Sequence, residues 1–537
     1  MHITLFDLGQ LTPQRVAELG ESALRHLVLQ LLDDLRETHD RLNQTPQNSS
    51  RPPGSMPPWD KAKAGKAIEG EEDELGKKDI AAEDKANTED ALEVVAETAQ
   101  ETPVAESANP DKPAKEKKNP GHQTGTPGHG RTQDLPVTAE ERHLPCNCVV
   151  CDSDLPSENF VPRFGHYSLD VVPGTEQAPG LGVTNTKHIY GDITCTACGH
   201  CNRSEPGRAV PEASDKEIWE GLELSEWRLV GTYLACLIVF MHFRARCSYT
   251  IIQEFLRVWM GISLSTATLN HAVHEMGFAV ESVVSQLAED VVRSALLHAD
   301  ETSWPESGKM RWLWVFVNAS TCLYAIGSRG IEVLDRVLGG FLGRLMSDGY
   351  GAYRHFKNRL RCWAHLLRKA VGLAESTDPR AKAFGKAARD LMEQLMDAIF
   401  KARESPPAVS LTIIWAAALQ AFRKLCEEYA QSNHAKTAAL AREFLNDWDV
   451  IWSVLADPSL PLTNNLAERA LRHWVIARRI SYGTRTPRGT RAFALLASVI
   501  DTCRLRGADP WRYLASLLEH RRQGKAPPAL PPIPSLT

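Results

Sequence analysis

Several familiar signals are missing from this chain. No window of its 537 residues approaches 18 uncharged apolar residues, which argues against a membrane-spanning helix. The N-terminus, MHITLFDLGQLTPQRVAELG, has no basic stretch followed by an apolar run, so no secretory signal is expected. Positive charge is not in excess: 61 Lys and Arg against 67 Asp and Glu give a net charge of −6. Taken alone, that sum argues against a nucleic-acid partner, whose binding domain should be basic. The remaining composition is 43% hydrophobic, 7% aromatic and 24% charged, close to a soluble globular average. The length suits three to four domains at one per ~150 residues.

The charge deficit is local. Residues 51–120 hold 11 basic and 17 acidic side chains, and the rest of the chain is neutral. That segment is rich in Pro, Ala, Glu and Lys and nearly free of aromatics. Such a composition cannot bury enough apolar surface to offset ordering entropy, so a disordered linker is expected. Residues 461–537 hold 13 basic and 4 acidic side chains, and 344–369 hold seven basic and one acidic. An acidic spacer therefore masks two basic regions.

Residues 14–44 have a helical pattern. Val28, Leu35 and Leu42 repeat every seven residues, as do Leu24 and Leu31. Two interleaved apolar rows suit a short coiled coil or an amphipathic helix packed on its own domain. RLNQTPQNSSRPPGS then ends the helix with breaker residues. Residues 214–295 read mainly as helices. Within them CSYTIIQEFLRVWMGISLSTATLNHAVHEMG has two periodic segments around Gly261, with Ser265 placed to cap the second. This suits a DNA-binding helix-turn-helix or an ordinary helical hairpin.

From 295 the periodicity changes. ALLHAD is a short apolar run ending in an acid. RWLWVFVNASTCLYAIG reads as two strands joined by a turn at NAS. IEVLDRVLGGF predicts a helix, GRLMSDGYGAY a strand ending at an acid, and RLRCWAHLLRKAV a strand leading into a helix. Residues 371–460 read as nearly all helix, and TNNLAERALRHWVIARRI begins another. This order implies a mixed α/β core.

Six of the twelve cysteines lie in HLPCNCVVCDSD and ITCTACGHCNRS. Cys148/Cys151 and Cys195/Cys198 form two C-x-x-C pairs, a zinc-knuckle signature. The 43-residue gap between them can be filled by short strands. Cys146, Cys201 and His200 are spare donors, and a disulfide framework is the competing reading. The scattered Cys236, Cys247, Cys322, Cys362, Cys426 and Cys503 read as buried hydrophobes.

Asp300 and Asp348 each stand where an apolar strand pattern ends, a place where functional groups emerge from α/β sheets. Glu468 stands near a helix start. Its structural alternatives are a capping box with Asn465 and an i,i+4 pair with Arg472. Three such carboxylates suit phosphoryl transfer with two Mg²⁺ ions about 4 Å apart. Asp300 would bridge the metals, with Asp348 and Glu468 flanking them. Arg469, Arg472, Arg478 and Arg479 would hold DNA phosphates. His365 would contact the scissile phosphate or serve as a structural histidine.

These residues resemble the transposases of the insertion sequence 66 family. The matching strings are HADETSW around Asp300, SDGYGAY around Asp348, CWAHLLRKA around His365 and NNLAERALR around Glu468. GADPWRYL is similar to the family's closing motif, RLNQTPQNSSRPPGS to its Asn/Ser-rich stretch, and the cysteine pairs to its zinc-binding module. The resemblance covers most of the chain outside 51–120. It implies a DDE transposase with a ribonuclease H-like catalytic core whose acids are Asp300, Asp348 and Glu468. It also implies Mg²⁺ or Mn²⁺ (two ions) at those acids and one structural Zn²⁺ at the cysteine pairs. The 119 residues between Asp348 and Glu468 imply a helical insertion. The implied reaction is hydrolysis that frees a 3′-hydroxyl at the element end, then attack of that hydroxyl on target DNA, with no covalent enzyme–DNA intermediate. This sequence departs from the family pattern at the Leu-Leu of CWAHLLRKA, in ISYGTRTPRGTRAFALLASV, and in its long acidic spacer.

The expected fold is thus α/β, with a helical insertion in a ribonuclease H-like core. An N-terminal helix occupies 1–45, an acidic linker 46–135, a zinc-binding module 136–210, and a helical DNA-binding region 211–294. The core spans 295–500, with 371–460 inserted, and a helical tail covers 501–537. Expected partners are element-terminal inverted repeats, target DNA, further copies of the chain and accessory proteins of the same element, in a bacterial cytoplasm. A non-catalytic zinc and helix-turn-helix DNA-binding protein derived from a mobile element is the alternative.

Overall fold

The structure is a computed structural model that describes residue 16 and residues 19–42, 136–209 and 217–534. The expected linker, 46–135, lies outside the described residues. Helix α1 spans Glu21–Leu42. It leaves Leu24, Val28, Leu31 and Leu35, members of the two heptad rows, exposed.

A small sheet follows, in the order β1-β3-β2 with β4 beside β3. Strand β1 (Ala139–His143) runs parallel to β3 (Leu181–Thr194), and β2 (Phe160–Pro173) forms a long antiparallel hairpin with β3. Strand β4 (Cys201–Arg203) closes the module. Two short strands, β5 (Arg208–Ala209) and β6 (Leu224–Ser225), lead into helices. These are α2 (Thr232–Val239), α3 (Tyr249–Met260), α4 (Thr266–Ala279) and α5 (Glu281–Val292).

The turn between α3 and α4 follows its sequence closely. Gly261 ends α3 in the left-handed region at φ 67°, and the Ser265 side chain accepts from Thr268 N–H to cap α4. The packing is less compatible with groove reading. From Ala272 to Ala279 α4 is buried, and Gly277 lies against Ala492, where a Cβ would come within 2.7 Å of the Ala492 Cβ. The exposed residues of α4, Thr266 and Ala267, are in its first turn, with Asn270 and His271 partly exposed.

The second sheet has five strands in the order β11-β10-β7-β8-β9. Strands β7 (Leu296–Glu306), β8 (Lys309–Val317) and β9 (Cys322–Gly327) form an antiparallel meander. Helix α6 (Ile331–Leu338) then leads to β10 (Arg344–Ser347) and β11 (Arg359–Arg361), both parallel to β7. The NAS turn forms as expected: Asn318 Oδ1 accepts from Ser320 N–H at 2.9 Å and Thr321 N–H at 2.7 Å. Strand β7 differs from expectation because it does not stop at Asp300. Its polar second half stays extended by pairing with β8 through a two-residue turn. There Ser307 and Gly308 both take positive φ, 48° and 78°.

After β11 come α7 (Trp363–Ala374), α8 (Pro379–Glu404), α9 (Leu411–Ile414), α10 (Ala416–Tyr429), α11 (Ala435–Asn446) and α12 (Trp448–Trp452). They share a hydrophobic core around Phe384, Phe422, Phe444 and Trp452. Three helices end the fold: α13 (Asn465–Ser481), α14 (Pro487–Leu505) and α15 (Pro510–Arg522). These three, the meander and α2–α5 pack into one other core. A boundary at 500 therefore falls inside α14, because the C-terminal helices bury their apolar faces against the same centre.

Candidate functional site

The topology brings two acids together. The last parallel pair between β7 and β10 is His298 with Met346. Two residues further along each strand stand Asp300 and Asp348, at the end where the parallel strands part. Asp300 is half-buried, and its carboxyl is pushed well above the usual range by desolvation first, then by the charges of Asp348, Glu301 and Glu468. Glu301 N–H donates to Asp300 Oδ1 at 2.9 Å, and Tyr350 N–H to Asp348 Oδ1 at 2.8 Å.

Glu468 lies in the first turn of α13. Neither structural alternative for it forms: no side-chain cap is made at this helix start, and Arg472 does not pair with it among the described residues. Glu468 Oε1 instead faces His365 Nδ1 at 3.9 Å, and both atoms are buried without a hydrogen-bond partner. His365 is held neutral, lowered to about 3, by burial and by Arg368, Lys369 and Arg361. It can offer a phosphate a hydrogen bond but no charge.

Two residues at this site escaped sequence reasoning. Asn464, just before α13, is buried; its Nδ2 donates to Ala299 O at 2.8 Å and its Oδ1 lies 3.2 Å from His298 Nδ1. Cys362, read from sequence as a plain hydrophobe, accepts from Asn464 N–H at its Sγ, 3.2 Å away, and groups with His365 and Glu468. The C-x-x-H spacing of Cys362 and His365 was the available signal.

The predicted arginines divide. Arg469, Arg472 and Arg479 are exposed on α13. Arg478 turns onto β7 instead, where its Nη1 donates to Thr302 Oγ1 and Ser303 Oγ, each at 2.8 Å, and to Ser303 O. Beside Asp348 a cavity of about 490 Å³ is lined by His365, Arg354, Lys369, Arg442 and Glu443, so α11 supplies part of its wall.

The second cluster is in the first sheet. Cys148 and Cys151 precede β2, and Cys195 and Cys198 lie in the turn between β3 and β4. The sulfurs of Cys148 and Cys198, and of Cys151 and Cys195, are 3.6 Å apart, and all four lie within 4.8 Å of one another. Four thiolates about 2.3 Å from a tetrahedral zinc would be about 3.8 Å apart, so the set fits one ion. Burial raises the Cys148 thiol, but hydrogen bonds from Val150 and Cys151 N–H and from Asn202 outweigh it and leave it lowered to about 6. That favours a thiolate at Cys148. Its hydrogen-bonded neighbour Cys198, despite the backbone hydrogen bond from His200, is pushed up to about 12 by the surrounding sulfurs and desolvation, so a metal must displace that proton.

The fold and its two clusters define a mixed α/β protein with grouped carboxylates beside cationic side chains and a separate four-thiolate module. Residues 228–492 match the family described as Transposase IS66 family. Among curated relatives, "Uncharacterized protein y4qI" of Sinorhizobium fredii (strain NBRC 101917 / NGR234) is 27% identical over 303 residues, 51% of this chain and 56% of that protein. "Uncharacterized protein y4hP" of the same strain is 26% identical over 296 residues, 48% of this chain and 53% of that protein. The chain thus spans little more than half the length of these relatives. No helix among the described residues is long and apolar enough to cross a membrane.

Proposed function

We propose that this chain is a DDE transposase that cleaves a DNA strand at the end of an insertion sequence and transfers the freed 3′ end to target DNA. What supports this reading is that the charges of Asp348 and Glu468 both act on Asp300, within the residues that match the family. The sheet order, a three-stranded meander extended by two parallel strands, favours a ribonuclease H-like core.

The acids fit the divalent cations that the family implies. Asp300 is surrounded by like charge, and Glu468 Oε1 has no protein partner. Asp300, Asp348 and Glu468 would hold two Mg²⁺ or Mn²⁺ ions, which when bound polarise the phosphate and favour the attacking and leaving oxygens. The protein's own residues orient the DNA. Arg469, Arg472 and Arg479 face phosphates, neutral His365 donates to one, and Arg478 braces β7 against α13. The cysteine set Cys148, Cys151, Cys195 and Cys198 holds one structural Zn²⁺.

The test is strand transfer of element ends in Mg²⁺ or Mn²⁺. The Asp300→Asn variant is expected to lose joining and to keep binding to the ends. Undiminished joining refutes the assignment, and joined 3′ ends from the unaltered chain exclude a nuclease-only activity.

A further inference from the structure

The first sheet carries a second group of ligand-type side chains besides the four thiolates. The register pairs Glu141 with His188 and His143 with Tyr190 across β1 and β3. Alternation along each strand puts Glu141, His143, His188 and Tyr190 on one face. There His143 Nε2 lies 2.9 Å from His188 Nδ1, and the Glu141 carboxylate 3.4 Å from the same nitrogen. One donor atom from each of the three lies within 4.8 Å of the others. The rings are held in place: His143 stacks on Tyr190 at 4.2 Å and 4°, and His188 stacks on His166 at 5.0 Å.

A hydrogen bond between two neutral imidazoles accounts for one of these approaches but not both. His188 Nδ1 has a single position for a proton and two neighbours aimed at it. Three lone-pair donors within 4.8 Å of one another suit a cation. The spacing also speaks to its geometry. Two metal–nitrogen bonds of about 2.05 Å at a right angle put the nitrogens about 2.9 Å apart, against about 3.3 Å at the tetrahedral angle. Two imidazoles and a carboxylate in a right-angled arrangement suit Ni²⁺ or Cu²⁺.

We propose that Glu141, His143 and His188 form a site for one divalent transition-metal ion of the Ni²⁺ or Cu²⁺ type, separate from the four-thiolate cluster. Its structural effect is local. Strand β1 is a five-residue edge strand with four exposed residues, so little apolar burial holds it. An ion ligated from both strands cross-links that edge to β3. The site is independent of strand transfer.

The experiment uses the untagged full-length chain with its zinc in place, and Ni²⁺ as the probe. Equilibrium dialysis is expected to give one added equivalent of nickel. X-ray absorption is expected to give a shell of nitrogen and oxygen only, with imidazole scattering. His143→Gln should lose that equivalent while keeping zinc content and circular dichroism. Should that variant fail to fold, Glu141→Gln at the exposed edge decides, with weaker nickel binding expected. No added nickel on the unaltered chain, a sulfur-containing shell, or unchanged binding by the folded variant overturns the proposal.

Discussion

Asn464 Nδ2 donates to the carbonyl of Ala299 at 2.8 Å, fastening the start of α13 to the residue before Asp300. One buried amide thus sets the spacing between the elements that carry Asp300 and Glu468. Asn464→Ala leaves the Ala299 carbonyl and the His298 ring nitrogen without this partner, at about 1–3 kcal/mol for each unsatisfied group. A lower thermal midpoint is expected. Strand transfer should fall further than the loss of folded protein explains, when both are measured at a temperature where the variant is folded.

Glu468→Gln keeps the shape of the side chain and removes its charge. Strand transfer should drop by orders of magnitude while affinity for element ends, measured by gel shift, stays near that of the unaltered chain. The thermal midpoint should hold or rise, since one member of a like-charged group is neutralised.

The small core around the cysteines contains only Cys148, Leu155, Ile193 and Cys195 as buried apolar residues. So little burial makes the module depend on its metal. Metal analysis should find about one zinc per chain in the chelator-free protein. Cys148→Ser should lose it, and protease sensitivity should then rise within 136–209 first.

The exposed heptad residues of α1 predict self-association through that helix. Deleting 14–44 should lower the solution mass, measured by light scattering, to a smaller multiple of the protomer. An unchanged multiple would remove α1 from the interface.

Asp501 is half-buried and accepts from Tyr324 Oη at 2.8 Å and Trp474 Nε1 at 2.9 Å. Desolvation raises its carboxyl pKa despite these bonds. The folded chain therefore binds this proton more tightly than the unfolded chain. The contribution to stability is greatest at low pH and falls as pH rises from about 4 through the folded value. Asp501→Asn removes that dependence, so its thermal midpoint should gain on the unaltered chain as pH increases.

Much of this was readable in the residues because the signals are local. The β-branched and aromatic run of β8, the NAS turn, the Ser265 cap and the paired C-x-x-C spacings need only their own neighbours. The meeting of Asp300 with Asp348 does not, since it depends on β10 inserting beside β7 rather than following β9. Asn464 shows the same limit: its sequence neighbours suggested a capping box, whereas its side chain is used by a strand 165 residues away. The extent of β7 was missed because pairing with β8, not hydrophobicity, keeps DETSWPE extended. Arg478 looked like its exposed neighbours, and only the helix's place against β7 distinguishes it.

The arginines around β11 carry one more consequence. Residues 344–369 hold seven basic side chains, but five already have acidic partners. Arg344 pairs with Asp457, Arg354 and Arg359 with Asp447, and Arg361 and Lys369 with Glu443. Among the described residues, only Lys357 and Arg368 of this segment lack one. Each phosphate contact adds about −0.9 to the slope of log affinity against log salt on duplex DNA. This segment should therefore release about two counterions on binding, not seven. The steeper part of any salt dependence belongs to the open face of α13.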